Sequence, residues 1–161
     1  MAGLDPETAS EPEMEAAEEI LAFCNQLLHA EDIVERSLVP MVQKMARQRI
    51  SLPPSLQVPV QKMMDQLARN LNICATVLLR QNTSETNPLA GQKDFFRTLE
   101  STATAAYFER LRKQPGDSNS SAEYNLREEV VTYQLTLLRD LRRVNTHIVA
   151  AASYSLPTGE D

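Results

Sequence analysis

The stretch VQKMMDQLARNLNICATVL, residues 60–78, decides the fold. Val60, Met64, Leu67, Leu71, Cys74 and Leu78 recur at steps of four and three, with Met63, Ile73 and Val77 widening the stripe. That period lays apolar side chains along one face of an α-helix. The spacing therefore predicts a long helix, ending near Gln81-Asn82-Thr83-Ser84, where short polar side chains compete for the backbone.

Outward from this stretch the same period returns three times. Ile20, Phe23, Cys24, Leu27, Val34, Leu38, Met41 and Met45 mark a first helix. Ser10 with Glu13 at the third following position forms a capping box at its start. Pro40 lacks a donor and crowds the carbonyl four residues before it, which predicts a kink or division near Ser37 and Leu38. Phe95, Phe96, Leu99, Ala103, Ala106, Tyr107 and Leu111 mark a third helix, with Asn87-Pro88 as its expected start and Pro115-Gly116 as its stop. Leu126, Val130, Tyr133, Leu137, Leu141, Val144 and Ile148 mark a fourth, with Ser120 and Glu123 as a second capping box. At 1.5 Å per residue this last helix reaches about 45 Å.

Four helices, each with one apolar face, have to bury those faces on one another. The expected fold is all-α, an antiparallel four-helix bundle whose first helix is kinked near Pro40. Residues 1–12 read as a disordered acidic leader, 13–154 as one helical domain and 155–161 as a flexible tail. Connectors are expected near 51–59, 82–91 and 114–121. In the first of these, Pro53, Pro54 and Pro59 argue against a helix.

Composition narrows the function. The chain has 161 residues, a net charge of -6, two cysteines and four glycines. So little glycine leaves almost no material for phosphate-cradling loops, and two cysteines make neither a disulfide framework nor a four-cysteine zinc site. No apolar run approaches the roughly 18 to 20 residues that cross a bilayer, and the N-terminal stretch is acidic where a presequence is basic. The expected location is intracellular, cytoplasmic or nuclear. Asn82-Thr-Ser and Asn119-Ser-Ser match glycosylation acceptors in form, and without a secretory signal they read as polar loops.

Charge is unevenly spread. Residues 1–34 carry nine acids and no Lys or Arg, residues 35–113 carry twelve bases against six acids, and residues 114–161 carry seven acids against four bases. A basic middle suits an acidic or phosphate-bearing partner.

The motifs of catalysis do not appear. His29 and His147 are the only histidines, preceded at the third position by Gln26 and Val144 where a di-iron bundle has Glu. A two-histidine zinc site would need Cys24 or Cys74, and both cysteines read as small core residues beside apolar neighbours. Catalytic, cofactor and metal residues are accordingly not expected.

What remains is binding. Met41, Met45, Met63 and Met64 flank the proline connector, and methionine makes an adaptable surface for a partner helix; their bland alternative is filler around a kink. Arg139, Arg142 and Arg143 form a basic cluster on the last helix, and Arg110, Arg112 and Lys113 another at the end of the third. The expected function is a non-catalytic protein-interaction module, an adaptor or small subunit that meets one or more proteins through helix faces. The alternative is a nucleic-acid- or phosphate-associated protein using the two basic clusters. Val34–Ile50, with Arg36, Lys44, Arg47 and Arg49, has the make-up of a membrane-surface helix and equally of the wet face of the kinked first helix.

Overall fold

A computed structural model describes residues 10–80, 89–113 and 121–154. Among them the chain is helical: α1 (Glu11–Ile33), a π-helical turn (Val34–Leu38), α2 (Val39–Arg47), α3 (Pro54–Arg80), α4 (Gln92–Lys113) and α5 (Ser121–Ala151). α1, the π-turn and α2 form one bent rod, so four helices pack together as the sequence predicts. The expected leader, the tail, the Asn87-Pro88 start, the Ser120 cap and both Asn-x-Ser/Thr motifs fall outside the described residues, in whole or in part.

The bent rod begins as expected, with the Glu13 carboxylate accepting from both the backbone N–H and the hydroxyl of Ser10 at 2.8 Å. These two bonds hold the Glu13 carboxyl below its ordinary pKa. At Pro40 the helix neither breaks nor divides. It widens instead: the Val39 N–H reaches back five residues to the Val34 carbonyl, which loosens the turn that the proline ring would otherwise crowd.

The rod ends at Arg47 through a Schellman motif. Arg49 N–H bonds to the Ala46 carbonyl at 3.2 Å and Ile50 N–H to the Met45 carbonyl at 2.9 Å, with Arg49 left-handed at φ 55°. The segment 51–59 is a correction to the sequence reading, because α3 already begins at Pro54. Pro53 and Pro54 occupy the cap and first turn, where a missing donor costs nothing, and the Pro53 carbonyl accepts from Leu56 and Gln57 at 2.8 and 3.1 Å. Only Pro59 lies beyond the first turn of the helix. α4 starts after Gly91, whose φ of 83° suits glycine and whose carbonyl receives the Phe95 N–H at 3.0 Å.

Polar ties fix the directions of the helices. Gln26 meets His147, Ser37 meets Asp140 and Lys44 meets Glu129, so the bent rod runs antiparallel to α5. Gln92 and Glu100 meet Asn145 and Arg142, so α4 does the same. α5 is the hub, packing on α1, the π-turn, α3 and α4. Its described buried residues run from Gln134 to Ala151 and include Asp140 and Asn145, both wholly inside. α1 lies on α5 alone among the long helices that pack extensively, whereas α3 and α4 also pack on each other.

The buried faces differ in detail from the apolar stripes. On α3 the seam is Leu56, Met63, Leu67, Asn70 and Cys74, while Met64 and Leu71 are exposed. On α4 Phe96, Ala103 and Tyr107 are buried, whereas Phe95 and Ala106 are exposed. Cys74 is in the core as expected, but Cys24 is exposed, and so is Ile20.

Candidate protein-docking surface

The four methionines beside the connector do not share one surface. Met41, Met45 and Met63 are buried in the core, and only Met64 is exposed. Of the two readings of these residues, filler around the bend matches the first three.

The basic cluster of α5 is engaged within the chain. Arg139 Nε and Arg143 Nη1 each lie 3.3 Å from Asp140 Oδ1, and the Ser37 hydroxyl donates to Asp140 Oδ2 at 2.6 Å. Asp140 is fully buried, so its charge depends on these three groups. Arg142 Nε lies 2.5 Å from Glu100 Oε2 on α4. At the end of α4, Arg112 and Lys113 both meet Glu109, at 2.5 and 3.5 Å. Most of the positive charge that suggested a phosphate surface is therefore already opposed by carboxylate. Lys44, in the basic segment before the connector, likewise meets Glu129 at 2.7 Å and stands over the Tyr133 ring. Its pKa is raised, first by the Glu129 bond and then by Tyr133, and Glu129 is correspondingly lowered.

The two histidines, far apart in sequence, are brought together. Their ring centroids are 5.4 Å apart, and His147 Nδ1 lies 2.9 Å from Gln26 Oε1, a geometry that fits the Nδ1–H tautomer. The His147 pKa is lowered, first by burial and then by His29, Arg143 and Lys93. Among the described residues no three His, Cys, Asp or Glu side chains gather as a metal site. Nor is any described helix long and apolar enough to cross a membrane. A shallow depression between the connector and α4, about 400 Å³, is bordered by Leu52, Pro53, Tyr107 and Gln134.

An apolar band is left open on α1. Phe23, Ala30 and Ile33 face inward. On the opposite side, Met14, Leu21 and Leu28 recur every seven residues, and Leu21 and Leu28 are 62 and 58 % exposed. Ile20 and Cys24 lie beside them, also exposed, and small Ala17 falls in the same band. Residues three, four and seven apart share a helix face, so these side chains form one band. The sequence reading missed it by following one stripe on this helix, which leaves out Met14, Leu21 and Leu28. The signal was present in the excess, since one face of α1 cannot bury Phe23, Ile33, Leu21 and Leu28 together.

Comparison with protein-family models, curated proteins and solved structures finds no match for the chain.

Proposed function

We propose that the chain is a non-catalytic protein-interaction module, an adaptor or small subunit of a larger intracellular complex, which engages its partner through the outer face of α1. The observation that carries this reading is the pair Leu21 and Leu28, two leucines one heptad apart on a regular helix, each more than half exposed. A contiguous apolar band of this kind costs solvation when left in water and gains it back when covered. The engagement of Arg139, Arg142 and Arg143 by Asp140 and Glu100 favours this reading over nucleic-acid binding.

The test places a photo-crosslinking residue at Asn25, exposed and one turn from both leucines, in the full chain with and without Leu21→Ser/Leu28→Ser. In native cell extract the reading expects one stoichiometric protein crosslinked at position 25 and lost from the double variant. Capture that ignores the double substitution, or that depends on nuclease-sensitive material, refutes it.

A further inference from the structure

We infer that the occupant of the α1 face is an amphipathic helix bordered by basic residues, supplied by another protein. This rests on the docking role of α1 and adds the chemistry of the partner.

The shape of the face selects a helix. Met14, Leu21 and Leu28 follow one another at seven-residue steps, and Ala17 and Cys24 in the same band are small enough for another backbone to approach. The apolar rows of a partner helix fit between them as knobs into holes.

The border selects the charge. From Glu11 to Glu35 the chain has eight acids and no Lys or Arg. Glu18 lies one turn from both Met14 and Leu21, while Glu31 and Asp32 lie one turn beyond Leu28. Among the described residues only Asp32 of these is opposed by a base, Arg36 at 3.1 Å. Among the described residues no Lys or Arg pairs with Glu11 or Glu18. A second copy docking by the same face would set these acids against their own counterparts, which is unfavourable in either orientation. Lys or Arg along both borders of the partner answers the field.

The test uses the full chain and two synthetic amphipathic peptides of about 21 residues, sharing one Leu-rich face and bordered either by Lys and Arg or by Glu. Binding is read by fluorescence anisotropy, and its location by the rate at which iodoacetamide alkylates Cys24. The basic-bordered peptide is expected to bind about tenfold or more tighter than the acidic one, and to weaken when salt is raised tenfold. It should also slow Cys24 alkylation. Glu11→Lys/Glu18→Lys should abolish the preference between peptides, and Leu21→Ser/Leu28→Ser should abolish binding of both. Equal binding of the two peptides, or protection of Cys24 by neither, overturns the inference. So does a dimer in sedimentation that Leu21→Ser/Leu28→Ser dissolves. If a protein still crosslinks at position 25 while the peptides show no preference, the charge assignment fails and the docking role of α1 stands; if the crosslink is also absent, both fail.

Discussion

Asn70 Nδ2 donates to Asn145 Oδ1 across 2.7 Å, and neither side chain is exposed to solvent. The pair joins α3 to α5 in the middle of the core. Around it, Gln66 Nε2 donates to Asn70 Oδ1 at 2.8 Å and Asn145 Nδ2 to the Gln92 carbonyl at 3.2 Å, which draws in the start of α4. A buried amide without a partner is costly, so this pairing favours one axial setting of three helices over its neighbours.

Asn70→Ala should therefore cost about 2 to 3 kcal/mol, since it strands the Asn145 Oδ1 and leaves a small void. The paired variant Asn70→Leu/Asn145→Leu should cost less than the sum of its single changes, because it removes both buried amides together and the partners it frees, Gln66 and Gln92, are only half-buried. Urea unfolding of the three variants gives the coupling.

At Asp140 the cost should depend on which side of the ion pair is removed. Arg139 and Arg143 are about half exposed and can return to water, whereas Asp140 cannot. Arg139→Ala/Arg143→Ala leaves a buried carboxylate with Ser37 alone and should cost about 3 to 5 kcal/mol, clearly more than Asp140→Asn. Denaturant midpoints of the two variants decide it; equal losses would mean that water reaches Asp140. The same logic makes reversal of the arginine cluster a poor probe of docking, since it would unfold the protein first.

His147 gives the fold a dependence on pH. Burial and the nearby His29, Arg143 and Lys93 lower its pKa below the ordinary 6.5, so the unfolded chain takes up the proton more readily than the folded one. Its contribution is complete above about pH 6.5, declines as pH falls through the lowered folded value and then levels off. Urea midpoints between about pH 7.5 and 5.5 should fall in the native chain and stay nearer level in His147→Gln, because Glu13 and Glu129, both lowered from 4.5, act at more acid pH.

The two thiols should react at very different rates. Cys24 is exposed, while Cys74 is buried and its pKa is pushed up to about 11 by desolvation. Iodoacetamide at neutral pH should label Cys24 alone in the folded chain and both in denaturant, as peptide mass spectrometry would record. Labelling of both at one rate in the folded chain would place Cys74 in a segment that opens readily.

Arg49→Gly should stabilise the chain by about 1 kcal/mol, because the left-handed C′ position of a Schellman motif suits glycine and strains any residue with a Cβ. A rise in melting temperature checks this.

The four-helix plan was legible in the sequence because apolar period and turn chemistry agree over long segments. The register within each helix was less so. On α3 the apolar count favours Met64 and Leu71, yet the buried positions are Met63 and Asn70. An asparagine enters a core only when it finds a partner, and Asn145 stands 75 positions away in sequence, where periodicity cannot connect it. The arginine cluster misleads for the same reason: Asp140, which lies among these arginines in the sequence, is the buried group that Arg139 and Arg143 serve. At Arg49 the helix stop was invisible because no glycine marks it. The outer face of α1 was visible as residue types, but deciding which leucines face outward requires knowing where α5 lies.

The π-turn also acts as a gauge of length. One extra residue in that turn rotates everything beyond it about the helix axis, so the outward rows of Met14, Leu21 and Leu28 meet Glu35 and do not continue in phase into α2. The usable track from Met14 to Leu28 is thus about 21 Å long at 1.5 Å per residue. A helix matched to that distance is covered along its whole apolar side, whereas a longer one has to leave its overhang in water. On the docking role proposed for α1, the wide turn that accommodates Pro40 sets the length of the partner helix as well.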